Sequence, residues 1–198
     1  MVDDEYVFFP GNRKAGKEWK SFEAEHKDSG KIILSAAQKL KVENWVESYK
    51  KRPEAIDLVD GANNEFSLFS EMAGVPLKVR ADIINIDKGF IADIKTTASD
   101  PDVDTFRFTV EQYGYDLSAA LYVDLFSRRY EKEFDFYFIV LGKRTQTCEV
   151  YKASDLTLGK GRKKMLTALK LYKSCMENGR WDNEKEVKPI TDYEILEV

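Results

Sequence analysis

The sequence predicts an α/β domain built on a mixed β-sheet. Two apolar runs, Leu77 to Ile86 and Gly89 to Thr96, flank a polar turn at Asp87-Lys88-Gly89, the signature of a hairpin. Two more strand-like runs, Phe134 to Leu141 and Gln146 to Tyr151, follow a segment with apolar residues at helical spacing. The resulting order is helices, three strands, a long helix, two strands and a helix, which is an α/β arrangement. The hairpin residues Ile83, Ile84, Ile86, Phe90, Ile91, Ala92 and Ile94 make it apolar on both faces, so it belongs inside a covered sheet.

From the N-terminus, Tyr6 to Phe9 is a short strand-like piece ended by Pro10-Gly11, and Lys17 to His26 is a short helix. His26 is the only histidine, in a run of charged residues, and is expected to be solvated rather than a ligand. Ser35-Ala-Ala-Gln38 is a capping-box pattern that starts a clearer helix, with Leu40, Val42, Trp45, Val46 and Tyr49 following. Pro53 starts another helix to about Val59. Glu65 to Phe69 alternates as a strand does, and Gly74-Val-Pro76 turns the chain into the central hairpin. A helix is predicted from Val103 or Phe106 to Arg129, with Val110, Tyr113, Leu117, Leu121 and Leu125 on one stripe and Glu111, Tyr115, Ser118 and Tyr122 on a second. The last helix spans Ala153 to about Asn178, before Gly179 and a charged tail. No linker divides the chain, so one domain is expected over residues 1–198, with a mainly helical N-terminal region over 1–60, a core over 61–180 and a tail over 181–198.

The net charge of −4 announces no general affinity for nucleic acid, so such a role would rest on local patches and metal ions. Cys148 and Cys175 fit no CxxC pattern, which excludes zinc ribbons, and two thiols are too few for an iron–sulfur cluster. Both are expected to be reduced. The longest apolar run falls far short of the roughly 20 residues of a membrane span, and MVDDEYVFFPG is unlike a secretory signal, so a cytoplasmic protein is expected.

Counting outward from the turn places Asp82 opposite Asp93, with Lys95 on the same side as Asp93 and Ile94 pointing away. Facing carboxylates about 5 Å apart repel. A divalent cation relieves that, since magnesium takes hard oxygen ligands. Lys95 adds a cation where a water or a phosphate can sit.

The D-(x)10-D-x-K hairpin resembles the PD-(D/E)XK nuclease superfamily. Glu65 before Phe66-Ser-Leu-Phe69, Val79-Arg-Ala-Asp82-Ile83, Phe90-Ile-Ala-Asp93-Ile-Lys95-Thr-Thr97 and Tyr113-Gly-Tyr-Asp-Leu-Ser-Ala-Ala-Leu-Tyr122 resemble its RecE-type exodeoxyribonuclease VIII family of phages and prophages. The resemblance implies a restriction-endonuclease-like core with a mixed five-stranded sheet flanked by helices. It further implies a magnesium-dependent exonuclease on linear double-stranded DNA, with manganese able to substitute. Asp82, Asp93 and Lys95 would be catalytic, and Glu65, Asp82, Asp93 and the Ile94 carbonyl would hold the metal. Ser118, Tyr122 and Tyr115 would contact substrate.

For phosphates, the cluster at Lys160, Arg162, Lys163 and Lys164 is the leading basic candidate, because lysines at a helix start gain nothing from the helix dipole. Arg80, Arg128, Arg129, Lys143 and Arg144 are further candidates. The implied partners are DNA, other copies of the chain in a ring-shaped homo-oligomer, and a single-strand annealing recombinase.

Three departures qualify the resemblance. Ala81 stands where the family has proline before the first aspartate, and Ser118 stands where it has glutamine. The family's upstream histidine helix would precede this chain, which is then a fragment, a reduced site or an inactive relative. An endonuclease, or a binding and assembly module with lost activity, are the alternatives.

Overall fold

The computed structural model describes residues 5–181, so the tail expected beyond Trp181 lies outside the described residues. A small parallel sheet comes first, β1 (Tyr6–Phe9) beside β2 (Ile32–Ser35), joined by α1 (Gly16–His26). The sequence shows no strand at Ile32; its apolar run is only three residues long, and pairing with β1 gives it its form. Phe9 is buried between Trp19 and Phe22, and His26 stacks on Phe22 with Nδ1 2.9 Å from the Phe22 carbonyl. His26 is thus a structural side chain.

α2 (Ala36–Lys50) starts at Ser35 with the predicted capping box: Ser35 Oγ accepts from the Gln38 N–H at 3.3 Å, and Gln38 Oε1 accepts from the Ser35 N–H at 3.0 Å. α3 (Pro53–Val59) follows, with proline at its first position. β3 (Asn63–Met72) and β4 (Val75–Asn85) form a hairpin closed by Ala73 and Gly74, both at positive φ. β5 (Phe90–Thr97) returns antiparallel, and Gly89 in the loop takes φ 73°.

α4 (Val103–Tyr113) and α5 (Tyr115–Tyr130) stand where the sequence predicts one long helix. The break is at Gly114, whose φ of 67° is left-handed and ends α4. β6 (Asp135–Gly142), β7 (Cys148–Lys152) and α6 (Asp155–Asn178) complete the fold.

The main sheet has five strands in the order β3-β4-β5-β6-β7, with β5 and β6 parallel and the other neighbours antiparallel. It separates two apolar clusters. One joins Ile84, Ile91, Phe136 and Phe138 to Phe106 of α4, Phe126 of α5 and Met165 of α6. The other joins Ile83, Ala92 and Ile139 to Ala55 and Leu58 of α3. α2 is tied to the β6–β7 turn on that side, where the Trp45 indole N–H donates to the Gly142 carbonyl at 2.8 Å.

α6 lies against α5 along Leu158, Gly161, Met165 and Leu169, a buried stripe at helical spacing. Two ion pairs fix this packing, Arg162 with Asp124 at 2.8 Å and Lys164 with the buried Asp116 at 2.7 Å, and a third, Lys160 with Glu111, ties α6 to α4.

Candidate active site

Asp82 and Asp93 meet where β4 and β5 part. The two strands pair only over Ile83↔Ala92, Ile84↔Ile91 and Asn85↔Phe90, and the next step of this register sets Asp82 opposite Asp93. There the Asp82 side chain takes over: its Oδ2 accepts the Ile94 N–H at 3.0 Å. The burial alternation of β4 also resets here, since Val79, Ala81 and Ile84 enter one apolar cluster and Ile83 the other. Opposite Asp82, Glu65 takes a left-handed φ of 53° and interrupts the β3–β4 ladder. Such irregularities re-aim side chains, and here the re-aimed group is a carboxylate.

Asp93 faces the α4–α5 side of the sheet. Its side chain is 13% exposed, and the Lys95 ammonium lies 2.5 Å from its Oδ2 at 23% exposure. That oxygen is buried without a well-directed hydrogen bond, so its partner is an ionic contact. Burial holds the Asp93 carboxyl above the usual carboxylate range; Lys95 opposes this shift and the Asp82 charge adds to it. The Lys95 ammonium also lies 4.6 Å from the ring centre of Tyr115 at the start of α5. Two turns along the same helix, Tyr122 donates its hydroxyl to the Arg80 carbonyl at 3.1 Å. Burial raises its phenol pKa, the hydrogen bond to the Arg80 carbonyl opposes that shift, and the charges of Asp93 and Asp82 add to it.

Asp82, Asp93, Lys95, Tyr115 and Tyr122 are therefore brought together. Ile94 presents its N–H to Asp82, while its side chain lines an apolar groove with Trp45 and Ile139 on the opposite face. Glu65 stands across from Asp82 in register, but its carboxylate reaches Arg80 at 2.8 Å. Among the described residues no three His, Cys, Asp or Glu side chains converge as a metal cage. Ser118 is exposed one turn before Tyr122.

The basic candidates fare differently. Lys160, Arg162 and Lys164 are engaged with carboxylates of α4 and α5, which leaves Lys163 as the member of that cluster with no carboxylate partner among the described residues. Arg80 holds Glu65, Arg144 holds Asp100, Arg128 donates to the Glu71 carbonyl and Arg129 lies over Tyr130. Which carboxylates meet these cations is set by the fold and cannot be read from the order of residues.

A family model described as a PDDEXK-like domain of unknown function (DUF3799) matches residues 5–187. The chain belongs to this family. The PDDEXK-like domain also matches the crystal structure of a protein from Eubacterium rectale described as a "putative exonuclease", with a TM-score of 0.62 and 17% identity. The match covers 83% of this chain and 64% of that one, so the domain spans less than two thirds of that protein. It establishes a shared fold. The crystal structure of SSO0001 aligns at a TM-score of 0.37 and 16% identity, over 83% of this chain and 76% of that one, too low a score to establish the same. No curated protein sequence matches the PDDEXK-like domain. The five-stranded mixed sheet and its flanking helices are thus the PD-(D/E)XK core that the hairpin motif implied.

Proposed function

We propose that the chain is a magnesium-dependent nuclease that hydrolyses phosphodiester bonds of linear double-stranded DNA from an end. The observation that supports this best is the buried Asp93 carboxylate with the Lys95 ammonium at 2.5 Å, beside Asp82 on one hairpin. Neighbouring carboxylates are the hard oxygen donors that a magnesium ion takes, and Asp82 and Asp93 are the residues that would hold it. A bound divalent cation supplies charge neutralisation and an activated water in such sites.

The chain's own residues account for the rest. The Ile94 N–H fixes one oxygen of Asp82, leaving the other free. Lys95, held between Asp93 and the Tyr115 face, can pair with the scissile phosphate or orient the attacking water. Tyr122 and Ser118 share a helix face one turn apart, and on this reading they would contact the substrate backbone.

The test is incubation with linear and circular duplex, with and without magnesium. Nucleotide release from linear DNA only, lost in Asp93→Ala and Lys95→Ala, is the expected result. No release at high enzyme concentration refutes the exonuclease, and equal cutting of circles makes it an endonuclease. Assembly into a ring and delivery of the exposed strand to an annealing recombinase belong to the same reading and rest on the resemblance alone; sedimentation would report the former. Among the described residues no helix is long and apolar enough to cross a membrane.

One observation favours a second reading, a binding or assembly module with reduced activity: the Glu65 carboxylate is turned to Arg80. Titration calorimetry with manganese separates the two. Binding that depends on Asp82 and Asp93 supports the nuclease.

A further inference from the structure

Beside the acidic hairpin lies a cleft of about 830 Å³ between α4 and the C-terminal end of β5. Its walls include Thr97, Ser99, Phe108, Gln112, Tyr113 and Lys143. It continues directly from the site, because Asp93, Lys95 and Thr97 alternate along β5 and Tyr115 borders both.

The aromatic wall is the informative feature. α4 buries Phe106 and Val110, yet it holds Phe108 62% and Tyr113 64% exposed at the cleft. Within one helix, residues two apart point to different sides. The left-handed Gly114 between Tyr113 and Tyr115 instead brings their rings into a stack, with centroids 5.8 Å apart and planes 25° from parallel. Tyr115 packs on Phe106 and Phe138 and carries the Lys95 ammonium, so the exposed Tyr113 ring is backed by a fixed one. The remaining wall offers hydroxyls and an amide. Lys143, exposed, has no ion-pair partner among the described residues, while the one carboxylate in the wall, Asp104, faces Arg107 at 3.5 Å.

Exposed rings, neutral hydrogen-bonding groups and a free lysine are what an unpaired nucleotide strand requires: π-faces for the bases and a cation for the backbone. We propose that this cleft binds a single DNA strand, stacking bases on Phe108 and Tyr113 and passing the backbone by Lys143 toward Lys95. The proposal rests on the nuclease reading of Asp82, Asp93 and Lys95, and it specifies that the strand is unpaired when it reaches them.

The experiment measures binding of a labelled six-nucleotide oligothymidine, and of an abasic strand of equal length, by fluorescence anisotropy in EDTA. The intact strand should bind at least tenfold more tightly than the abasic one. Phe108→Ala and Tyr113→Ala should each weaken oligothymidine binding about five- to a hundredfold, the range for a lost stacking ring. Neither should change abasic binding. Tyr113→Phe keeps the ring and should bind as the wild type does. Lys143→Ala should weaken both strands alike and lower the salt slope by about 0.7, one single-strand phosphate contact.

A double Phe108→Ala, Tyr113→Ala variant that binds oligothymidine like the wild type overturns the proposal. So does a wild type that cannot tell the two strands apart. Because no metal is present, these results are separate from duplex degradation: an active nuclease with an indifferent cleft refutes the cleft alone.

Discussion

Gly161 and Gly159 lie two residues apart in α6, and the same substitution at each should act in opposite directions. A methyl added at Gly161 would overlap the backbone of Asp116, with the carbonyl carbon at 2.5 Å and the Ala120 Cβ at 2.9 Å. Carbon atoms pack at about 3.5–4.0 Å, so α6 would have to withdraw from α5 by about 1 Å. The obstacle is helix backbone, which cannot rotate aside. Overpacking of this kind costs about 1–3 kcal/mol, against about 1 kcal/mol gained by alanine over glycine in a helix. The withdrawal also loosens Leu158, Met165 and Leu169, which puts the cost toward its upper end.

A net loss of about 1–2 kcal/mol is expected for Gly161→Ala, or a fall in Tm of about 2–8 °C for a chain of this size. A methyl at Gly159 meets nothing within 4 Å, so Gly159→Ala should gain about 0.5–1 kcal/mol. Thermal unfolding followed by far-ultraviolet circular dichroism measures both. Since α5 carries Tyr115 and Tyr122, Gly161→Ala should also impair metal-dependent cleavage well below its own Tm. If Gly161→Ala is as stable as the wild type, α6 does not approach α5 as described.

Burial pushes the Cys148 thiol up to about 11, while Cys175 is only partly covered. At about pH 8, near the ordinary thiol range, one thiol should therefore react quickly with a disulfide reagent and the second only on unfolding. The raised value means the native state holds the proton longer than the unfolded chain, whose thiol ionises near 9. Stability should fall as pH rises from about 9 toward 11, and Cys148→Ala should remove that component of the slope. Ser35→Ala removes the Oγ that accepts from the Gln38 N–H, while the backbone N–H that donates to Gln38 Oε1 stays, and should cost about 1 kcal/mol by urea unfolding. Lys164→Met leaves the 1% exposed Asp116 carboxylate without its cation, and should cost more than Lys50→Met, whose pair with Glu47 lies in solvent and is screened by it. A Lys164→Met protein as stable as Lys50→Met would show that Asp116 finds compensation elsewhere.

The order of the five strands of the main sheet, the capping box at Ser35, the helix start at Pro53 and the pairing that sets Asp82 across from Asp93 were all legible in the chain alone. These are local matters: strand period, turn chemistry and cap residues act within a few positions of the chain. The family was legible too, because the D…DxK spacing survives in the hairpin. The parallel pairing of β1 with β2 was not, since a strand of four residues takes its form from a partner more than twenty positions away. Nor was the break at Gly114, where a glycine inside a helical pattern does not announce a left-handed φ.

The charges were the least legible. Lys160, Arg162 and Lys164 look like a phosphate clamp in one dimension, yet the fold brings Glu111, Asp124 and Asp116 to meet them. Glu65 and Arg80 likewise satisfy each other across two strands. Charge pairing is decided by distances of a few ångströms between elements far apart in the chain, and only the tertiary structure sets those. It is the fold, too, that buries Asp93 beside Lys95 and stands Tyr113 against Tyr115, giving the acidic hairpin its cleft.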